Sequence, residues 1–183
     1  MGFAVAPFLF TWNFQRFKEY LKQRPDFDLE PYFRQLGTFL ESKRSELELF
    51  KQKRLVEKIE ANNVKRIFEE INSKLKELGV GTNEPIGVAK LLHLFAPGYF
   101  PLIDNKIANA TGLLPSKWES LTSNSYVDWM NMLRGWLQNY SEVVEELQNK
   151  FDSSILKLVD EGLYVMSTVK LRSRVRALGL KVG

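Results

Sequence analysis

Three side chains able to do chemistry fall within one short stretch, Ile86–Leu113, read as IGVAKLLHLFAPGYFPLIDNKIANATGL: Lys90, His93 and Asp104. A lysine amine whose proton affinity is lowered by burial can act as a nucleophile toward an electrophilic carbon. A carboxylate can stabilise a cationic transition state or assist the attack of water. Lys90 and His93 lie three residues apart, so they share a side of one helix and can both turn toward the loop that ends in Asp104. Each also has a plainer reading. Lys90 can be a snorkelling lysine. His93 can be a packed or capping histidine. Asp104 can be the N-cap of a helical pattern that begins at Asn105.

Composition excludes several other chemistries. The chain has no Cys and a single His, which removes disulfides, thiolate nucleophiles and thiolate or multi-histidine metal sites. No tight Asp/Glu cluster suggests a carboxylate-held Mg²⁺, so neither a metal nor another cofactor is expected. No apolar run reaches the length of a membrane span, and a membrane partner is not expected. MGFAVAPFLF lacks the basic start of a signal peptide, and Ala6 stands where a myristoylation motif wants Ser or Thr. Absence of Cys with abundant Lys, Glu and Arg fits a cytoplasmic protein from a thermophile.

Charge is unevenly placed. Net charge is +4, and the last acidic residue is Glu161. Lys170, Arg172, Arg174, Arg176 and Lys181 follow it, and the rest of the chain then holds 21 basic against 22 acidic residues. The basic excess therefore sits in a tail over residues 170–183. Such a tail either contacts phosphate or another polyanion, or is simply solvated.

The elements that must position Lys90 and Asp104 read as helices. A chain of 183 residues suits one domain, with residues 1–12 as an apolar arm. A helix is predicted from about Asn13 to Gln23, ended by Arg24-Pro25. Asp28 caps the next, which carries Leu29, Tyr32, Phe33, Leu36, Phe39 and Leu40 at helical period, with Gly37 at a close crossing. Glu41–Glu60 reads as an exposed, charged helix held by ion pairs between successive turns. Val64, Ile67, Phe68, Ile71 and Leu75 mark an amphipathic helix ending at Leu78, with Gly79 past its C-terminus. Asn83 is the candidate cap of the helix that carries Lys90, with Val88, Leu91, Leu92 and Phe95 on its apolar face. Ser125 is the candidate cap of a helix through Trp136. Two more follow, from Ser141 to Phe151 and from Ser153 or Ser154 onward. About eight helices and almost no strand signal give an all-α domain.

The order Gly87-Val88-Ala89-Lys90, an apolar helix, Pro101, Asp104, Ile107, Ala110 and Gly112-Leu113 resembles the helix–hairpin–helix DNA glycosylases over about residues 86–113. In that superfamily a Gly-Val-Gly hairpin grips DNA phosphate, and a later loop delivers a catalytic Asp at a helix start. The resemblance implies that Asp104 is the catalytic carboxylate and Lys90 the Schiff-base lysine. It places Gly87 and Val88 in the hairpin. Ala89 stands where the second hairpin glycine is expected, and Gly79-Val80-Gly81 is an alternative hairpin. Without Cys, the iron–sulfur variant of the family is excluded. A glycosylase holds a flipped base against aromatic walls, for which Tyr99, Phe100, Trp12 and Trp118 are candidates. Arg172, Arg174 and Arg176 would bind phosphate, with DNA a better expected partner than RNA. Beside this enzyme reading stand a non-catalytic nucleic-acid-binding protein on the same scaffold and a helical protein-interaction module with Glu41–Glu60 as its surface.

Overall fold

The computed structural model describes residues 14–79, 81–113, 121–151 and 154–168. Trp12, Val80, Trp118 and the tail arginines Arg172, Arg174 and Arg176 lie outside these residues. The described chain is all helix, with no strand: α1 Phe14–Gln23, α2 Leu29–Ser42, α3 Arg44–Lys51, α4 Ala61–Leu78, α5 Pro85–Phe95, α6 Asn105–Ala110, α7 Ser123–Asn139, α8 Ser141–Lys150 and α9 Ile155–Thr168. None of them is long and apolar enough to cross a membrane.

The fold is arranged around α4. Its one apolar stripe, Val64, Ile67, Phe68, Ile71 and Leu75, is fully buried, and α2, α5 and α7 pack against it. Pro85 starts α5, where its fixed φ suits the first helical turn and its missing N–H would have no partner. That helix is apolar nearly all round, as a core helix must be, and Gly87, Val88, Ala89, Leu91, Leu92, His93 and Phe95 are buried. Further along the chain, α6 packs on α9, and α8 touches both α7 and α9. A second aromatic cluster joins the N-terminal helices: Phe17 meets Tyr20 and Tyr32 edge-on, with ring centroids 5.7 and 5.5 Å apart.

Three sequence expectations need correction. Glu41–Glu60 is not one exposed helix. A turn at Lys43 ends α2, α3 stops at Lys51, and residues 52–60 are non-helical. Leu47, Phe50 and Leu55 from this segment are buried, so its thin apolar stripe is a core face rather than an exposed surface. The cap of α5 is Glu84, not Asn83, with no side-chain cap bond. The cap of α7 is Thr122, whose side chain accepts from Ser125 N–H while Ser125 Oγ accepts from the Thr122 backbone, a reciprocal capping box.

Between α5 and α6 the chain runs through the core as a loop. Ala96, Tyr99, Phe100, Leu102 and Ile103 are buried. Buried carbonyls away from water need donors. Gly98 O accepts from Leu55 N at 2.9 Å, Pro101 O from Tyr126 O–H at 2.9 Å and Leu102 O from Trp129 Nε1 at 3.1 Å. The two α7 side chains therefore hold the loop by its backbone. Removing one donor strands a desolvated carbonyl. Tyr126→Phe is expected to lower unfolding free energy by about 1–3 kcal/mol in urea titration with an unchanged slope. The exposed control Tyr140→Phe should cost under about 0.5 kcal/mol.

Candidate functional site

The buried loop delivers Asp104 to the start of α6. Asp104 Oδ1 accepts the Ile107 N–H at 2.7 Å, and its carbonyl accepts Ala108 N–H at 2.9 Å, so it is the N-cap of α6. The cap uses Oδ1, and the side chain is partly buried. Lys90 lies half-buried on α5. Desolvation lowers its pKa from the ordinary lysine value, while the carboxylates of Asp104 and then Asp160 act in the opposite sense. Lys90 and Asp104, fourteen residues apart in the chain, thus stand close enough in space for their charges to interact.

His93 lies one turn along α5 and is buried. Its Nδ1 is 2.8 Å from Phe100 O. A carbonyl only accepts, so this bond assigns the ring hydrogen to Nδ1 and leaves Nε2 as an acceptor. Burial pushes the His93 pKa below its ordinary value, the Phe100 bond and the Asp160 charge oppose that, and Lys157 adds to it. The imidazole is therefore held neutral and closes another carbonyl of the loop.

Two members of the cluster come from α9 and were not singled out from sequence. Asp160 is mostly buried, and its pKa is raised by desolvation against the pull of Lys157, 3.4 Å away, with the Asp104 charge adding to the rise. Lys157 bridges Asp160 and Glu161 on successive positions of the same helix. The only sequence signal was spacing: Lys157, Asp160 and Glu161 form ordinary surface pairs in any amphipathic helix. Nothing local revealed that α9 packs on α6 and lays this face beside Lys90.

Other sequence candidates are placed elsewhere. Gly87 and Val88 do not form a hairpin. Both are buried within α5, and the Val88 N–H is spent on Glu84 O at 2.9 Å. Tyr99 and Phe100 are 0 % exposed and cannot stack on a flipped base. The Tyr99 hydroxyl accepts from Glu60 N–H at 2.9 Å, and its ring stacks on Phe50 at 5.3 Å. Gly79 and Gly81 do sit in a turn, between α4 and α5. Gly79 is closely packed, for an added Cβ would meet Tyr20 Oη at 2.8 Å. Gly81 has φ +79°, where glycine is favoured, and is exposed. Among the described residues no group of three or more His, Asp or Glu side chains could hold a metal ion.

Compared with protein-family models, with characterised proteins and with solved structures, the chain matches none.

Two pH effects follow from the shifts. For Asp160 the folded pKa lies above the unfolded one, so the folded state holds the proton more tightly. That stabilisation is complete below the ordinary value of 3.8 and is lost as pH rises through the folded pKa. Asp160→Asn should therefore raise the melting temperature at pH 7, with the gain vanishing below about pH 3.8. For His93 the sign is reversed. Its neutral form is the folded one, so stability present above 6.5 is lost as pH falls. His93→Gln, which can still donate to Phe100 O, should flatten the melting-temperature decline between about pH 6.5 and 5 seen in the wild type.

Proposed function

We propose that this chain binds nucleic acid and cleaves an N-glycosidic bond of a damaged nucleotide, with Lys90 and Asp104 as the reacting pair. The observation that carries the reading is the half-buried lysine of lowered pKa within reach of the charge of a helix-capping aspartate. A lowered pKa raises the fraction of free amine at neutral pH, which a nucleophile needs. In the reaction the Lys90 amine adds to C1′ of the deoxyribose as the base leaves with the bonding electron pair. The amine nitrogen passes one proton to the departing base, its lone pair then expels O4′, and its second proton goes to O4′, which leaves a neutral imine between Nζ and C1′. The ionised Asp104 carboxylate stabilises positive charge at C1′ while the old bond lengthens. If water attacks instead, Asp104 takes the proton and Lys90 supplies only charge. The N–H groups of Gly79 and Gly81 are spent on Leu75 O at 2.9 Å and Lys76 O at 3.2 Å, so the attraction for phosphate comes from the basic residues 170–183, and it is independent of sequence.

One observation favours a second reading, a helical protein-interaction module. No residue of α8 is buried, and Tyr140, Val143 and Phe151 at this helix are exposed. An apolar exposed face of this kind marks a contact surface.

The readings separate in one set of assays. Binding to duplex DNA is expected to weaken steeply from low to physiological salt, and strand cleavage on a panel of damaged duplexes should fall by about 100-fold or more in Asp104→Asn. Borohydride should trap a covalent complex with wild type and not with Lys90→Met. Binding without cleavage of any substrate leaves a non-catalytic nucleic-acid-binding protein. Absence of binding even at low salt rejects the nucleic-acid readings and leaves the interaction module.

A further inference from the structure

A groove of about 370 Å³ opens on another part of the molecule, between the turn that follows α3, the end of α7, α8 and the start of α9. It shares no lining residue with the Lys90 centre. Its floor is apolar: Leu55, Leu137 and Leu156 are buried, and the partly buried Val144 of α8 lines it with them. Its rim is basic. Lys51, Lys53 and Arg54 line it, and among the described residues no acidic side chain does.

The three cations are not equivalent. Lys53 is bonded to Glu60, and its ammonium also lies 5.5 Å from the Phe50 ring centroid. Lys51 is loosely paired with Glu48 at 3.6 Å. Arg54 is exposed and makes no ion pair with any described residue. A guanidinium so placed can take a carboxylate or phosphate on two parallel N–H bonds. The volume lies in the range of small-ligand sites, and the apolar floor favours an aliphatic or flat body over a second charge.

We propose that this groove binds a small amphipathic anion. Its single carboxylate or phosphate head sits on Arg54, with Lys51 beside it, and its apolar body lies over Leu55, Leu137, Val144 and Leu156. The site does not depend on the nucleic-acid reading, and its lining residues leave the reacting pair untouched.

Calorimetric titration of the full chain tests this with four probes below their micelle-forming concentrations: decanoate, decyl phosphate, decanol and decyltrimethylammonium. Both anions are expected to bind, decanol more weakly, and the cation not measurably. Arg54→Gln should weaken decanoate binding at least about fivefold, as loss of a charged hydrogen-bond partner does. Val144→Trp, which fills the floor, should abolish it, with thermal melting to show that the variant folds. Asp104→Asn should bind decanoate like the wild type, so the outcome stands apart from the fate of the glycosylase reading. The proposal is overturned if decyltrimethylammonium binds as well as decanoate, if Arg54→Gln binds unchanged, or if neither anion binds at millimolar concentration. Arg54 is exposed, so its variant decides the question even if Val144→Trp does not fold.

Discussion

A loop that passes through a protein core must find a donor for each carbonyl it buries, and this requirement organises the molecule. Between α5 and α6 the carbonyls of Gly98, Phe100, Pro101 and Leu102 are met by Leu55 N, His93 Nδ1, Tyr126 O–H and Trp129 Nε1. Those donors come from the turn after α3, from α5 and from α7. The loop therefore ties together the turn after α3, α5 and α7. Proline suits it for a related reason. Pro101 is buried and carries no N–H, so it removes a donor that a buried loop would otherwise have to satisfy. Asp104 stands two residues past the last tied carbonyl, that of Leu102, and the ties fix where its carboxylate stands.

A second buried polar seam holds the other end of α5. Glu84 is 8 % exposed, and its carboxylate accepts from Tyr20 O–H at 2.8 Å and Thr82 O–H at 3.2 Å. Its backbone N–H donates to Asn72 Oδ1 of α4 at 2.8 Å. Tyr20 thus carries α1 onto the turn between α4 and α5, where only a glycine at 79 leaves room for its ring. A carboxylate left unpaired at that depth would be costly, and the hydroxyls supply what water would have given. With both ends anchored by polar bonds and its sides packed on α3 and α4, α5 has little freedom to rotate. Lys90 therefore keeps one facing.

The all-helical class was legible in the sequence because hydrophobic period is a local property, and α4 shows it plainly: Val64, Ile67, Phe68, Ile71 and Leu75 were picked out by spacing and are all buried. The Asp104 cap was legible for the same reason, since a cap bond spans only three residues. What failed depended on contacts distant in the chain. The segment after Lys43 looks like a solvated helix because its stripe is thin. Yet Leu55 N reaches across to Gly98 O, and burial of Leu47, Phe50 and Leu55 outweighs helix propensity over residues 52–60. Tyr99 and Phe100 look like exposed loop aromatics because Gly and Pro flank them; the donors that let the loop run inside, Tyr126 and Trp129, come more than twenty residues later. Asp160 and Lys157 are invisible as site residues because only the packing of α9 on α6 brings Asp160 to Lys90 and Lys157 to His93.

Stability alone does not account for that cluster. Several other charges sit where they cost little. Arg44 pairs with Glu41 and Glu48, and Arg66 with Glu46 and Glu70, along exposed faces. Pairs of this kind contribute about 0–1 kcal/mol and need no burial. Lys90 is different. It interrupts a helix whose other faces are apolar and buried, and it is desolvated beside two carboxylates, one of them itself resisting ionisation. A leucine there would continue the apolar pattern of α5 without a charge to solvate, and replacing buried ionic groups by well-packed apolar ones is often neutral or stabilising. A half-buried charge, desolvated beside two carboxylates on a helix held at both ends, is an arrangement that reacting groups use, and the proposal for Lys90 rests on it. That physical asymmetry, more than the surplus of basic residues, is why the functional reading rests on Lys90 and Asp104.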